Sequence, residues 1–593
     1  MSVEKLITEN LDIWTSAIKT RSASGRGSSN KLELFGIKKL RELILELAVR
    51  GKLVPQDPND EPADKMLERI SAEKEQLVKD GKIKRQKPLP SISEAKVPFK
   101  LPHGWSLARM PEVIKQDKYA IKRGPFGSAL KKAYFVSEGF KVYEQQHAIN
   151  DDFYRGEYYV NEEKFEELKA FEVVPGDLII SCSGTVGKVA EAPLDMERGI
   201  INQALLKVSL NEEILVNDYF KILFPTYFMK TETLSDLQGT AQKNMVSVDT
   251  LKSEPFPLPP LEEQKHIVAK VDVLMDLCDQ LESQTETSIE AHQSLVKTLL
   301  ETLTNAKDAD ELNESWQRIS EHFDVLFTTE DSIDQLKQTI LQLAVMGKLV
   351  KQEPNDEPAS KLLDRIAAEK DQLVKDRKIK KQKPLPPVSD EEKPFELPQW
   401  WSWSTINQLA KQVTDGVHHT PQYIESGVPF ISVKDIDGKT IKFSDCKYIS
   451  KEQHEEINRR CNPEFGDMLI CRIGTLGRPT IVDTNEPFSI FVSVGLIKYF
   501  QDYLCPEFFH IALSSPLLTY QYDQIKAGGS HTNKLNLGDI PKLKIPVAPI
   551  SEQKRIVSKV DELMALCDTL KARLNDAQTT QLQLTDAFVE QAS

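Results

Sequence analysis

The sequence predicts an α/β protein of the α+β kind, in which two mixed α/β domains are joined by two long helices, the whole laid out as an internal repeat. Three observations predict this. The stretch "ILELAVRGKLVPQDPNDEPADK" at 44–65 returns as "ILQLAVMGKLVKQEPNDEPASK" at 340–361, and aligning Ile37 with Ile333 keeps a constant offset of 296 through Trp105 and Trp401. "PLPPLEEQKHIVAKVDVLMDLCDQL" (257–281) returns as "PVAPISEQKRIVSKVDELMALCDTL" (546–570) at an offset of 289. Between the repeated parts lie two divergent blocks, about 105–256 and 401–545, where short apolar runs such as "DLIIS" and "DMLIC" are punctuated by Gly, Asn and Asp, the pattern of short strands and turns.

Taken in order, residues 1–36 hold a short helix and the Gly/Ser-rich linker "TRSASGRGSSNK". Residues 37–104 form the first copy of a conserved helix and basic arm. Ile37, Leu40, Ile44 and Leu47 recur at helical spacing, as do Ile333, Leu336, Ile340 and Leu343 in the second copy within 306–400. The arms "SAEKEQLVKDGKIKRQKPLP" and "AAEKDQLVKDRKIKKQKPLP" begin as charged helices and end in lysine-rich, proline-terminated segments. Their mixed charge fits a solvated or protein-docking face better than a nucleic-acid contact.

Segments 257–305 and 546–593 each enter through prolines and continue as a heptad helix. Ile267, Val271, Leu274, Cys278 and Leu281 match Ile556, Val560, Leu563, Cys567 and Leu570 as the apolar seam. Two matched seams in one chain predict that the helices pair with each other. At ~1.5 Å per residue, ~40 residues make a rod of about 60 Å.

With 593 residues, several domains are expected. No apolar run is long enough to span a bilayer and no signal sequence opens the chain, so a cytoplasmic protein with no membrane partner is expected. Cysteines 182, 278, 446, 461, 471, 505 and 567 lack metal-ligand spacing, which predicts buried thiols and no metal site. The net charge of −14 leaves room for a local basic strip, and "KQDKYAIKRGPFGSALKK" (115–132) is one. Neither a phosphate-binding lysine loop nor the Asn/Asp-Pro-Pro-aromatic motif of adenine methylation is present.

The divergent blocks still share a frame. "PGDLIISCSGTVGK" (175–188) parallels "FGDMLICRIGTLGR" (465–478), and "GTAQKNMVSVDTL" (239–251) parallels "GGSHTNKLNLGDI" (528–540). With "LPPLEEQ" and "VAPISEQ" ahead of the heptad helices, this organisation resembles the specificity (S) subunit of type I restriction–modification enzymes, in the subgroup with long duplicated arms. The resemblance covers essentially the whole chain.

It implies two target-recognition domains and an antiparallel coiled coil of pseudo-twofold layout, in a non-catalytic DNA-binding subunit. It implies double-stranded DNA as partner, with two modification (M) subunits and two restriction (R) subunits. No cofactor is expected on this chain. The resemblance places S-adenosylmethionine for N6-adenine methylation on the modification subunit, and ATP with Mg²⁺ for DNA translocation and cleavage on the restriction subunit. Each recognition domain would read one half of a bipartite target in the major groove, and the helices would set the spacer.

Lys and Arg serve phosphate or guanine while Gln and Asn suit adenine, so polar residues near the shared stretches are the expected readers. In the first domain these are Lys122, Arg123, Ser128, Lys131, Lys132, Gln145, Gln146, His147, Gln242, Lys243 and Asn244. In the second they are His418, His419, Thr420, Lys434, Arg472, Arg478, Ser530, His531, Asn533 and Lys534. The competing reading is a coiled-coil scaffold that presents two protein-binding domains.

Overall fold

The computed structural model describes residues 5, 8–21, 31–81, 92, 99–126, 129–231, 245–307, 309–529 and 532–592. The chain divides into two compact units, one of residues 1–287 and 578–593 and the other of residues 288–577. Each contains a sheet domain, a short repeat helix and parts of two long helices.

In the first unit a four-stranded antiparallel sheet runs in the order Val189–Glu191, Leu178–Ser181, Leu205–Val208, Ile121–Arg123. A five-stranded sheet runs in the order Phe135–Val136, Tyr159–Val160, Phe140–Tyr143, Gly199–Ile201, Glu172–Val173, with Gly199–Ile201 parallel to Phe140–Tyr143. The two-stranded ribbon of Ser106–Arg109 with Pro255–Leu258 joins the beginning of the sheet domain to its end.

The second unit repeats this plan. Its four-stranded sheet runs Gly477–Ile481, Met468–Cys471, Val494–Tyr499, Ala410–Asp415, all antiparallel. Its three-stranded sheet keeps the inner order Lys447–Ile449, Val428–Ile431, Ser489–Ile490, again with one parallel pair. Ser402–Thr405 pairs with Lys544–Val547 as the closing ribbon. The first unit therefore carries the same topology plus two short edge strands, which is the α+β character expected for the divergent blocks.

The repeated sequence forms repeated local structure. Helices Phe35–Val49 and Glu330–Val345 bury the apolar stripe that their periodicity announced. Both end in the same hydrogen-bonded cap. The N–H of Lys52 donates to the Leu47 carbonyl at 2.9 Å and that of Lys348 to Leu343 at 3.0 Å, around Gly51 (φ +66°) and Gly347 (φ +69°). A Cβ on either glycine would also strike Pro102 or Pro398, which explains why the turn kept its glycine in both copies.

The long helices are Leu261–Asn305 and Ile550–Ala592, 45 and 43 residues, or about 65 Å each at ~1.5 Å per residue. The first contributes residues 261–287 to the first unit and 288–305 to the second, while the other contributes 550–577 to the second and 578–592 to the first. Their seams have a second occupant that a two-helix heptad does not foresee. In the second unit Ile556, Val560 and Cys567 share one cluster with Val296, Leu300 and Leu303 and with Ile333, Leu336 and Ile340 of the short helix, while Leu563 and Leu570 pack at its margin. In the first unit Ile267, Val271, Leu274 and Cys278 are buried and Leu281 is half-buried. There Arg41 of the short helix pairs with Asp279 and Glu282 of the long one. The corresponding ion pairs in the second unit are Lys337 with Asp568 and Lys571 with Asp334.

Six cysteines are buried and Cys505 is half-buried, all as free thiols. Among the described residues, no helix is long and apolar enough to cross a membrane.

Candidate nucleic-acid interface

In each sheet domain the two stretches that echo each other in sequence come together in space. "SGTVG" and "IGTLG" turn the chain out of Leu178–Ser181 and Met468–Cys471. Beside that turn the N–H of Met245 donates to the Cys182 carbonyl at 2.9 Å, and that of Leu535 to the Arg472 carbonyl at 2.8 Å. In the second unit the hairpin of Ala527–Gly529 with Thr532–Lys534 completes this edge, and the Gly474 N–H donates to the Asn533 carbonyl at 3.0 Å. In each domain the turn is thus held from the side by a backbone hydrogen bond from Met245 or Leu535.

A buried carboxylate anchors the start of the strand that leads into each turn. Asp177 accepts from the N–H of Val174 at 3.0 Å and from the Ser209 hydroxyl at 2.5 Å. Asp467 accepts from the N–H of Glu464 at 2.8 Å and from Lys498 at 2.7 Å. Burial raises the Asp467 pKa, with the Lys498 ammonium opposing the shift. Burial also pushes the Cys182 and Cys461 thiols up to about 12, so they are packed, unreactive groups.

The structure sorts the expected readers into three groups. Lys131, Lys132 and Gln146 are exposed in the first domain, and His418, His419, Thr420, Lys434, Arg478, Asn533 and Lys534 in the second. Lys122, Arg123 and Gln145 are half-buried. Lys122 lies over the Phe171 ring at 5.3 Å, and the carboxamide oxygen of Gln145 is enclosed without a partner among the described residues. Ser128, Gln242, Lys243, Asn244, Ser530 and His531 lie outside the described residues.

Two residues require correction. His147 is 2% exposed, with one ring nitrogen on the Glu144 N–H at 2.9 Å and the other on the Arg155 carbonyl at 2.8 Å, so it holds a loop closed and faces no groove. Arg472 is 4% exposed: its guanidinium pairs with Asp415 and donates to the carbonyls of Leu535 at 3.2 Å and Val492 at 3.1 Å. Asp415, 1% exposed, also receives Arg460 at 2.5 Å and His418 at 3.1 Å. Both arginine and histidine were picked for their chemistry, but buried polar groups must satisfy each other before they can serve a ligand. Arg123 likewise spends one donor on the Met245 carbonyl at 3.2 Å. Among the described residues no cluster of three or more His, Cys, Asp or Glu is arranged to hold a metal ion.

The shared parallel contains a residue that choosing by local charge missed. Lys188 stands where Arg478 stands, one position after the second loop glycine, and it is exposed. Aligning the two loops would have found it.

The "EEQ" and "SEQ" motifs fix these domains to the long helices. Gln264 donates to the carbonyls of Ile214 at 2.7 Å and Pro259 at 3.0 Å and accepts from the Val216 N–H at 3.0 Å. Gln553 donates to Ala548 at 2.8 Å and accepts from the Cys505 N–H at 2.9 Å. Beside them, Glu263 accepts from Trp105 at 2.9 Å and from Gln56 of the repeat loop at 3.1 Å. These contacts tie the first copy's Gln56 and Trp105 to the distant glutamate.

A domain pair of this design, with duplicated frames and divergent exposed loops, defines a recognition protein. The family model described as "Type I restriction modification DNA specificity domain" matches residues 127–291 and 401–578. The chain is 40% identical to the type I restriction enzyme EcoAI specificity subunit and 41% identical to the EcoEI specificity subunit, both from Escherichia coli, over 100% of each chain. An HsdS subunit from Thermoanaerobacter tengcongensis, solved by crystallography, aligns with 84% of this chain and 98% of its own at 17% identity and a TM-score of 0.40. The chain belongs to the specificity subunits of type I restriction–modification systems.

Proposed function

We propose that each sheet domain reads one half of a bipartite DNA target and that the long helices hold the two halves at a set spacing. The observation that carries this is the pairing, in each unit, of a shared inner strand order with a block whose sequence has largely diverged. A shared frame with changed loops suits two half-sites of different sequence, because base contacts specify while the rest positions. In each unit the beginning of one long helix is grouped with the end of the other, which supports an antiparallel pair. At ~3.4 Å per step, a rod of about 60 Å matches roughly 18 base-pair steps, enough for half-sites on successive turns.

In this reading the repeated arms and short helices offer two modification subunits equivalent docks, and two restriction subunits complete the complex. This chain brings no catalytic group. S-adenosylmethionine on the modification subunits supplies the methyl group for adenine N6, and ATP with Mg²⁺ on the restriction subunits supports cleavage.

Exchanging residues 105–256 for the same block of a relative, followed by sequencing of methylated adenines in host DNA, tests the reading. One half of the methylated target should change while the other half and the spacer remain. A simultaneous change of both halves would sink it.

A further inference from the structure

We infer that the loops 184–188 and 474–478, Gly-Thr-Val-Gly-Lys and Gly-Thr-Leu-Gly-Arg, are a matched pair of phosphate grips that hold the DNA backbone in the same way at both half-sites. The inference rests on the proposed DNA reading and adds the residues that bind without reading. It starts from a contrast within each loop. The second glycine is explained by packing: a Cβ on Gly187 would meet Met229 Cγ at 2.7 Å, and one on Gly477 would meet Tyr522 Cε2 at 2.7 Å. The first glycine is explained by its backbone, Gly184 at φ +65° and Gly474 at φ +86°. The remaining identities have no such cause: Thr185, Lys188, Thr475 and Arg478 are all exposed. Among the described residues, no side chain or carbonyl partners either threonine hydroxyl, and neither cation has a carboxylate within ion-pair distance.

Exposed residues away from packing constraints drift freely, and most of these two blocks has drifted. A hydroxyl and a cation retained at the same two places therefore answer to something that is the same for both domains. Base sequence differs between half-sites, whereas the phosphodiester backbone does not. Hydroxyl donors, backbone N–H groups and Lys or Arg are the groups that contact phosphate oxygens. The loop is also preorganised, since the N–H of Lys188 donates to the Ser181 hydroxyl at 3.0 Å, that of Gly187 to the Ser181 carbonyl at 2.9 Å, and that of Gly474 to Asn533. Little ordering entropy is lost on binding. In a chain of net charge −14, exposed cations on a held loop give the local positive field that approach to DNA needs.

The test uses the full chain assembled with its modification subunits. Binding to a duplex carrying the host-methylated target and to a scrambled duplex is measured across salt concentrations. Lys188→Ala and Arg478→Ala should each lower the slope of log affinity against log salt by about 0.9 on both duplexes, with additive loss in the double variant. The ratio of target to scrambled affinity should stay unchanged, and Lys188→Arg should restore the slope. Unchanged affinity and slope on both duplexes would overturn the inference, leaving the loops as turns. A loss confined to the target duplex would overturn it in the other direction, making the residues base readers. If the unmodified complex itself showed no target preference, the DNA reading would fail independently of the loops.

Discussion

The two sheet domains meet the same buried need with an arginine from a different strand. The carbonyl of residue 245 in one and 535 in the other faces inward at the edge of the four-stranded sheet, and a guanidinium donates to each. In the first domain the donor is Arg123, on the outer strand, facing Cys182. In the second the outer strand supplies Asp415 at the matching register, and the arginine has moved to position 472, where the first domain has its cysteine. Each outer strand then continues into a glycine, Gly124 or Gly416, whose Cβ would lie 1.8 or 1.9 Å from the carbonyl of Asn202 or Ile490. What persists is the satisfied carbonyl, not the residue that satisfies it. A buried acceptor costs ~1–3 kcal/mol when left unpaired, so selection acts on the contact and either strand can provide it.

The largest effect should come from breaking the charged version. Arg472→Ala leaves Asp415 short of its buried partner and should cost about 3–5 kcal/mol. Arg123→Ala gives up a half-buried hydrogen bond worth about 1 kcal/mol. Hydrogen exchange should therefore accelerate far more in Met468–Cys471 than in Leu178–Ser181. Equal acceleration would show that the two solutions carry equal weight.

Next come the loop glycines. Gly474→Ala places a side chain at φ +86° in open space and should cost about 1–2 kcal/mol. Gly477→Ala adds the collision with Tyr522 and should cost more, read from thermal unfolding. The reverse ranking would mean that Tyr522 yields freely.

The duplicated glutamates differ in how well they are satisfied. Trp105 and Gln56 donate to Glu263 at 2.9 and 3.1 Å, whereas Trp401 and Gln352 approach Glu552 without a hydrogen bond of good geometry. Burial raises both carboxyls and pushes Glu552 up to about 7; Trp401, Arg555 and Gln352 oppose that rise and Asp356 adds to it. A carboxyl whose folded pKa lies above its unfolded value stabilises the fold at low pH, and that contribution is lost as pH rises from about 4.5 to about 7. Glu552→Gln should flatten the fall in melting temperature between pH 5 and pH 8 more than Glu263→Gln does. An equal response would erase the distinction between the units.

The smallest effect belongs to the exposed ion pairs between short and long helices. Their charges are partly exchanged, with Glu282 facing Arg41 where Lys571 faces Asp334. Lys571→Glu should cost about 1 kcal/mol or less, diminishing at high salt. A larger loss that salt leaves unchanged would place that pair in the helix core.

Much of the fold was legible because its signals are local. The apolar spacing of Ile37, Leu40, Ile44 and Leu47 and the Gly51 cap act over a few residues, so both copies of that helix could be placed from the sequence. The seam was read correctly as apolar and incompletely as a pair, because heptad spacing says that a face is buried without saying how many helices bury it. Arg472 was invisible as a buried residue for another reason. Its partner Asp415 is 57 residues away in sequence, and nothing near either residue reports the meeting. Lys188 was legible, through comparison of two loops and not through the charge of one.

By itself the sequence determined the duplication, the two sheet blocks, the long helices and the family, because periodicity, turn chemistry and internal identity are properties of neighbouring or aligned residues. Only the tertiary structure decided which polar side chains face outward. Arg478 and Arg472 sit six residues apart on either side of one turn, one exposed and the other 4% exposed. The difference lies in the strand Ala410–Asp415 and the Leu535 carbonyl, which the fold brings over one arginine and not the other. A buried guanidinium takes the partners that packing gives it, and those partners come from distant parts of the chain.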